Sequence, residues 1–128
     1  MKYLFDTDIL INHLRGRKSI DKKLLAGKIS VSLITYAELL YGVYRSTNPQ
    51  KSKSLLQGFF HDLSIEIINL DLKIVEEYAF LKAKLEKKGQ RLDEIDLLIA
   101  ATAKFLSLTL VTENKNHFQR IPNLLLFS

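Results

Sequence analysis

The stretch from Lys2 to Leu14, KYLFDTDILINHL, constrains the fold of this chain more than any other. Tyr3-Leu4-Phe5 is apolar without alternation, the pattern of a strand covered on both faces of a parallel sheet. The run breaks into two acids one residue apart, Asp6 and Asp8, and an amphipathic pattern follows at once: Ile9, Leu10 and Leu14, with Asn12 among them. A buried strand that gives way to carboxylates and then to a helix has a physical meaning. In open α/β sheets, ligands bind outside the carboxyl ends of the strands. Asp6 therefore stands where such a fold places chemistry, and later acids can be judged by whether they reach it.

The rest of the chain repeats the alternation. After a basic turn at Arg15-Gly16-Arg17-Lys18, Ile20 to Ala26 reads as a short helix that Gly27 ends. Ile29 to Ile34 is rich in β-branched residues and reads as a second strand. Thr35 is positioned to cap a helix running to about Tyr44. Asn48-Pro49 opens another, with proline at its tolerated first position, and Leu55, Leu56, Phe59, Phe60 and Leu63 recur at helical spacing. Ile65 to Leu70 is a third strand. Asp71 starts the longest helix, and Gly89 stops it. Asp93 opens a helix to about Leu106, Leu108 to Thr112 is a fourth strand, and Asn123 to Phe127 is a candidate fifth. The expectation is one α/β domain over residues 1–128 with a central parallel sheet of four to five strands, the first strand central.

Composition narrows the chemistry. There is no cysteine, which removes disulfides, thiolate zinc sites and thiol nucleophiles together. His13, His61 and His117 show no paired spacing, so a hard cation on carboxylates is the better expectation for any metal. A formal charge of +5, from 19 basic and 14 acidic residues, fits a polyanionic partner and is also ordinary for a small protein. Acids interrupt the N-terminus where a signal peptide needs an apolar core, and the longest apolar run, Leu97 to Ala103, is too short to span a bilayer. The expected location is the cytoplasm.

Three places put acid where a strand gives way to a helix: Asp6, Glu38 and Asp96. Each has a plain structural use. Thr35-x-x-Glu38 is a capping box in sequence, Asp93 can be an N-cap with Asp96 in the first turn, and Asp8 can serve the first helix similarly. Singly, each acid is better read as a cap. Together they are not, because helix starts that follow parallel strands lie on one edge of the sheet. Carboxylates gathered there repel one another unless a cation or protons neutralise them. Mg²⁺ suits such a place, since it takes few carboxylates, keeps several waters and bridges to phosphate. The chemistry these residues suggest is phosphodiester cleavage with water as nucleophile.

At this point the sequence resembles a PIN domain, and specifically a VapC-type toxin of a toxin–antitoxin pair. The resemblance covers nearly the whole chain. It rests on Phe5-Asp6-Thr7-Asp8, on Ser32 to Gly42 (SLITYAELLYG), on Asp96 to Ala101 (DLLIAA), and on Leu110-Val111-Thr112-Glu113-Asn114 with Phe118 soon after. It implies a Rossmann-like three-layer α/β/α fold and Mg²⁺- or Mn²⁺-dependent cleavage of RNA. It assigns Asp6, Glu38 and Asp96 to the metal-binding, catalytic roles. Thr7 and Thr112 match hydroxyl positions that line such sites, and Asn12 matches a polar position on the first helix. Where many relatives carry an Asp after the fourth strand, Asn114 brings an amide oxygen and no charge. Asp93, one turn before Asp96, is a cap first and a supporting ligand second.

The same acids admit other readings. Asp6-Thr7-Asp8 is similar to the Asp-x-Asp of haloacid dehalogenase-like phosphatases, which need an acidic pair after a late strand. A receiver domain would need a phospho-accepting Asp after a middle strand, with Asp71 the sole candidate, and a late lysine such as Lys115. A nucleic-acid binding module without catalysis would use the basic residues alone. The helix after Thr35 is apolar on two sides, with Ala37, Leu40, Tyr41 and Tyr44 on one and Tyr36, Leu39 and Val43 on the other. It is either wholly buried or one side meets another chain. The resemblance implies the second: a homodimer, and a VapB-like antitoxin whose C-terminal segment lies in an apolar groove. Arg15, Arg17, Lys18, Lys22 and Lys23 are candidate contacts for RNA phosphates or an acidic antitoxin tail.

Overall fold

The computed structural model describes all residues, Met1–Ser128. The elements follow in the order β1 (Lys2–Phe5), α1 (Thr7–Leu14), a 3-10 turn (Lys22–Ala26), β2 (Lys28–Ser32), α2 (Leu33–Arg45), α3 (Pro49–Asp62), β3 (Glu66–Ile68), α4 (Leu72–Lys87), α5 (Glu94–Phe105), β4 (Thr109–Val111) and α6 (Lys115–Phe118). The four strands form one sheet in the order β3-β2-β1-β4, and every pairing is parallel. β1 is interior, as its unbroken apolar run requires.

Alternate residues of each strand point to opposite faces, and the two faces carry separate cores. Tyr3, Phe5, Ile29 and Val31 pack under α1, α2 and α3, with Leu10, Leu39, Val43, Leu56 and Phe60. Leu4 and Leu110 pack on the other side with Ile74 and Leu81 of α4, Leu97 and Ile99 of α5, and Phe118 of α6. Burying side chains such as Leu4 and Phe5 completely stabilises the fold by about 1.5–3 kcal/mol each. α5 packs against both α4 and β4, and its Ala100, Ala101 and Ala103 leave no exposed surface. The result is three layers, α/β/α.

Several boundaries differ from the sequence reading for identifiable reasons. β2 ends at Ser32, not Ile34, because Ser32 caps α2: its Oγ accepts from the Ile34 N–H at 3.2 Å. Thr35 is thus inside the helix, fully buried, and the expected Thr35–Glu38 capping box does not form. Asp6, rather than Asp8, caps α1 through Oδ1 accepting from the Thr7 N–H at 2.8 Å. The candidate fifth strand is reduced to a single parallel bridge, Leu110 with Leu126, held by the Leu110 N–H to the Leu125 carbonyl and the Phe127 N–H to the Leu110 carbonyl. The short helix α6 was not expected. Asn48-Pro49, Asp71 and Gly89 act as read: Asn48 and Asp71 accept from backbone N–H groups of the helices they open, and Gly89 ends α4 at φ +67°.

Candidate active site

The sheet order reverses between β1 and β4, since β2 and β3 lie on one side of β1 and β4 on the other. A crevice opens outside the strand ends at such a switch point, and the two chain segments that flank it are Asp6 and Thr112. The Asp6 N–H donates to the Val111 carbonyl at 2.9 Å, which continues the β1–β4 ladder by one residue. The Thr112 hydroxyl then donates to Asp6 Oδ2 at 2.7 Å, while Oδ1 takes the Thr7 N–H. Both carboxylate oxygens are therefore fixed. Asp6 is only 4 % exposed. Burial pushes its pKa from 3.8 to about 6, against the lowering effect of the Thr112 hydroxyl, and the neighbouring charge of Asp96 raises it further.

Glu38 reaches the same crevice from the first half of α2. Thr7 Oγ1 lies 2.5 Å from Glu38 Oε1 and 3.1 Å from Thr35 Oγ1. A hydroxyl has one proton, and the carboxylate is the stronger acceptor. Thr7 therefore donates to Glu38, and Thr35 donates to Thr7. The residue read as a helix cap is instead the buried end of a two-hydroxyl chain that orients Glu38.

Asp96 arrives from the first turn of α5 and is half-buried. Its pKa is raised, first by burial and then by Asp93, with Asp8 and Glu38 adding to the effect and His117 opposing it. Asp93 occupies the N-cap position of α5, but its side chain makes no capping hydrogen bond and remains free at the cleft. Glu94, next along, is held from the side by α4: Lys82 Nζ lies 2.6 Å from its Oε1, and the Tyr78 hydroxyl donates to Oε2. Lys82 holds the Glu94 carboxyl below its usual range.

The cleft these residues line has a volume of about 350 Å³, and its walls are Asp6, Thr7, Asp8, Glu38, Asp93, Glu94, Ile95 and Asp96. Six of the eight are acids and none is basic. Asp6, Glu38 and Asp96 thus face one cleft, although no three acid or histidine side chains stand within ligating reach of a single point. Mutual repulsion keeps uncompensated carboxylates apart. The donor set is all oxygen, which fits a hard divalent cation, and Mg²⁺ binds through one or two carboxylates while keeping waters. A closed cage of three acids is not needed for that.

Of the remaining predicted residues, Asn114 sits at the margin. Its N–H donates to Thr112 Oγ1 at 3.0 Å and its Nδ2 to Asp8 Oδ2 at 3.3 Å, so its amide acts here as a donor. Asn12 does not line the cleft. Its carbonyl receives the N–H groups of Arg17 and Lys18 and folds the basic turn back on α1. His117, the third residue of α6, does not line the cleft, but its charge acts on Asp96, an influence that the sequence did not suggest.

The rival readings lack their residues. Asp71 is spent as the cap of α4, its Oδ1 accepting from the Ile74 N–H at 2.9 Å, and it is not part of the acid cleft. Glu113, the acid a phosphatase site would need, turns outward to Lys18 at 3.1 Å.

Comparison with known proteins places the chain in a family. The family model described as "PIN domain" matches residues 3–124. The chain is 38 % identical to ribonuclease VapC2 of Rickettsia felis over 98 % of its own length and 96 % of that protein's. This chain is a PIN domain of the VapC ribonuclease family. It is also 35 % identical to VapC2 of Haemophilus influenzae, over 94 % of this chain and 92 % of the relative. Its fold superposes on a chain of the Rickettsia felis VapBC2 complex bound to a DNA fragment from its promoter, with a TM-score of 0.89, 35 % identity, and coverage of 99 % and 98 %.

Proposed function

We propose that this VapC-family PIN domain is a Mg²⁺- or Mn²⁺-dependent endoribonuclease, with Asp6, Glu38 and Asp96 as its catalytic acids. The observation that carries this reading is the cleft itself: six acids, no base, and a buried carboxylate with a pKa of about 6 at the switch point of the sheet. A fold gains nothing in stability from such a cluster, so its use is to hold positive charge.

A divalent cation bound there supplies neutralisation of phosphodiester charge and activation of water near neutral pH. The chain's own contribution is preorganisation. Thr112 and the Thr7 N–H fix both oxygens of Asp6. Thr7 and Thr35 hold Glu38. The first turn of α5 presents Asp96, whose charge burial and Asp93 disfavour until a cation offsets them. Asp8, Asp93 and Glu94 at the rim keep the cleft negative, so an RNA phosphate is repelled until a cation is present.

As partners we propose RNA, a VapB-like antitoxin and a second copy of the chain, acting in the cytoplasm; no helix is long and apolar enough to cross a membrane. α2 buries Leu39 and Val43 but leaves Tyr41 and Tyr44 more than half exposed, which removes the reading of a wholly buried helix. Leu55 on α3 and Leu72, Val75 and Phe80 on α4 are further exposed apolar side chains. Surfaces of this kind meet other chains, and the VapBC structure that this fold matches is a complex.

The test is cleavage of single-stranded RNA by rigorously purified protein. Mg²⁺ or Mn²⁺ is expected to support cleavage, EDTA to abolish it, and Asp96→Asn to reduce it at least about 100-fold, the scale of a lost catalytic group. Undiminished cleavage in EDTA overturns the mechanism.

A further inference from the structure

A second cavity is joined to the acid cleft by one hydrogen bond, from Thr112 in its wall to Asp6 in the cleft. It encloses about 240 Å³ between the loop after α1, the 3-10 turn, the end of β4 and the last residues of the chain. Ile9, Ile20 and Val111 give it an apolar floor, and Phe127 stands at one side. Thr112 belongs to its wall and is the residue whose hydroxyl donates to Asp6 at 2.7 Å. A group seated in this cavity is therefore one side chain away from the buried carboxylate.

The aromatic wall is already fixed. The Phe127 N–H donates to the Leu110 carbonyl at 2.9 Å, and its ring meets Tyr3 edge-on, with centroids 5.8 Å apart and planes at 86°. The rim carries Ser19, Asp21, Lys115 and the Lys18–Glu113 ion pair at 3.1 Å. Two lysines stand against two acidic side chains, so there is no positive surplus of the kind a phosphate site needs. What fits is a neutral, flat group with apolar faces and a polar edge. The volume lies below the range of about 300–1,000 Å³ typical for drug-sized ligands, which suits a single ring system. In an RNA strand that description belongs to a nucleobase.

We propose that this cavity seats one unstacked nucleobase of the RNA beside the phosphodiester presented to the acid cleft, and that it sets a base preference at that position of the cut site. Sequence-specific RNA recognition works on such splayed bases, through aromatic contact and hydrogen bonds to the base edge. Ser19, Asp21 and Lys115 supply donors and acceptors for that edge. The proposal rests on the ribonuclease reading and adds a substrate-selecting site to it.

The experiment is to cleave a pool of randomised single-stranded RNA in Mg²⁺ with the parent protein, Phe127→Leu and Lys115→Ala, and to sequence the cut ends. The parent is expected to enrich one base or base class at one position beside the cut. Phe127→Leu keeps the apolar volume but loses the aromatic face. It is expected to flatten that enrichment, because a base no longer held against the ring presents its edge less firmly to Ser19, Asp21 and Lys115, and to slow cleavage of the whole pool by about 5-fold to 150-fold, the range that base–aromatic stacking supports. Lys115→Ala changes only an exposed residue, so it folds regardless, and it is expected to shift the preference at the same position alone. A parent without preference beside the cut, or both variants retaining the parental profile, overturns the base site while leaving the ribonuclease reading intact. A parent that cuts no RNA at all, with Mg²⁺ or Mn²⁺, defeats both.

Discussion

Replacing Asp6 by asparagine separates a site built for a cation from a site built for stability. The Asp6 carboxyl titrates near 3.8 when exposed and near 6 in the fold, mainly because burial disfavours its charge. At about 1.4 kcal/mol per pKa unit, the displacement corresponds to about 3 kcal/mol. Its sign follows from linkage. The folded pKa is raised, so between pH 3.8 and about 6 the folded protein binds more protons than the unfolded chain, and stability falls as pH rises through that window. Below it Asp6 is neutral in both states and costs nothing; above it the full penalty persists. Asp6→Asn has nearly the same shape and carries no charge; its one oxygen can still accept from the Thr7 N–H, with the Thr112 hydroxyl turning to accept from its Nδ2. Urea unfolding in EDTA at pH 4 to 8 is therefore expected to show the parent losing up to about 3 kcal/mol that the variant retains. At pH 7.5 the metal-free variant is expected to be the more stable, by roughly 10 °C in melting temperature at most. Mg²⁺ is expected to raise the parent's stability more than the variant's, because it binds the folded parent better. Parallel pH profiles for the two proteins, or a variant that is less stable at pH 7.5 in EDTA, would mean that the Asp6 charge carries no such penalty.

Two further substitutions test the parts around that carboxylate. Thr35→Val removes the buried donor to Thr7 while keeping its volume; a loss of about 1–2 kcal/mol in urea melts and a several-fold slower cleavage of RNA are expected, with Thr35→Ser recovering most of both. Asn114→Asp places a carboxylate against Asp8, whose Oδ2 now receives the Asn114 amide at 3.3 Å. It is expected to cost on the order of 1 kcal/mol in EDTA, the scale for partly exposed charges, and to regain it in Mg²⁺, as thermal melts in the two conditions will show.

The gathering of acids at one cleft was legible because it follows from strand ends. Tyr3-Leu4-Phe5 could only be a central strand, and that put Asp6 at the switch point. Helix starts after β2 and at Asp93 bring Glu38 and Asp96 to the same edge, although the first lies at Ser32 and not at Thr35 as the sequence suggested. What could not be read was which polar side chain satisfies which backbone group. Ser32 and Thr35 both have the chemistry of a cap, and the choice depends on where β2 stops pairing with β3, at Ser32 opposite Ile68. The ends of α3 and α5 were similarly hidden. No glycine marks them; Ser64 and Ser107 take left-handed conformations at φ 51° and 55° instead. Glu94 looked equivalent to its acidic neighbours, yet the Tyr78–Lys82 pair on α4 holds it from the side, a contact between elements that no local pattern encodes. The short strand after Asn123 failed for a related reason, since two hydrogen bonds to Leu110 fix the segment without extending a ladder.

On the function proposed here, Asp6, Glu38 and Asp96 are gathered to hold a divalent cation. Mn²⁺ binding followed by electron paramagnetic resonance tests it without relying on any RNA. The parent is expected to bind Mn²⁺ in competition with Mg²⁺, and Asp6→Asn and Asp96→Asn, folded by circular dichroism, are each expected to weaken binding at least about 10-fold, the loss of one charged ligand being worth more than about 1.4 kcal/mol. Binding of equal strength in the parent and both variants would contradict the account.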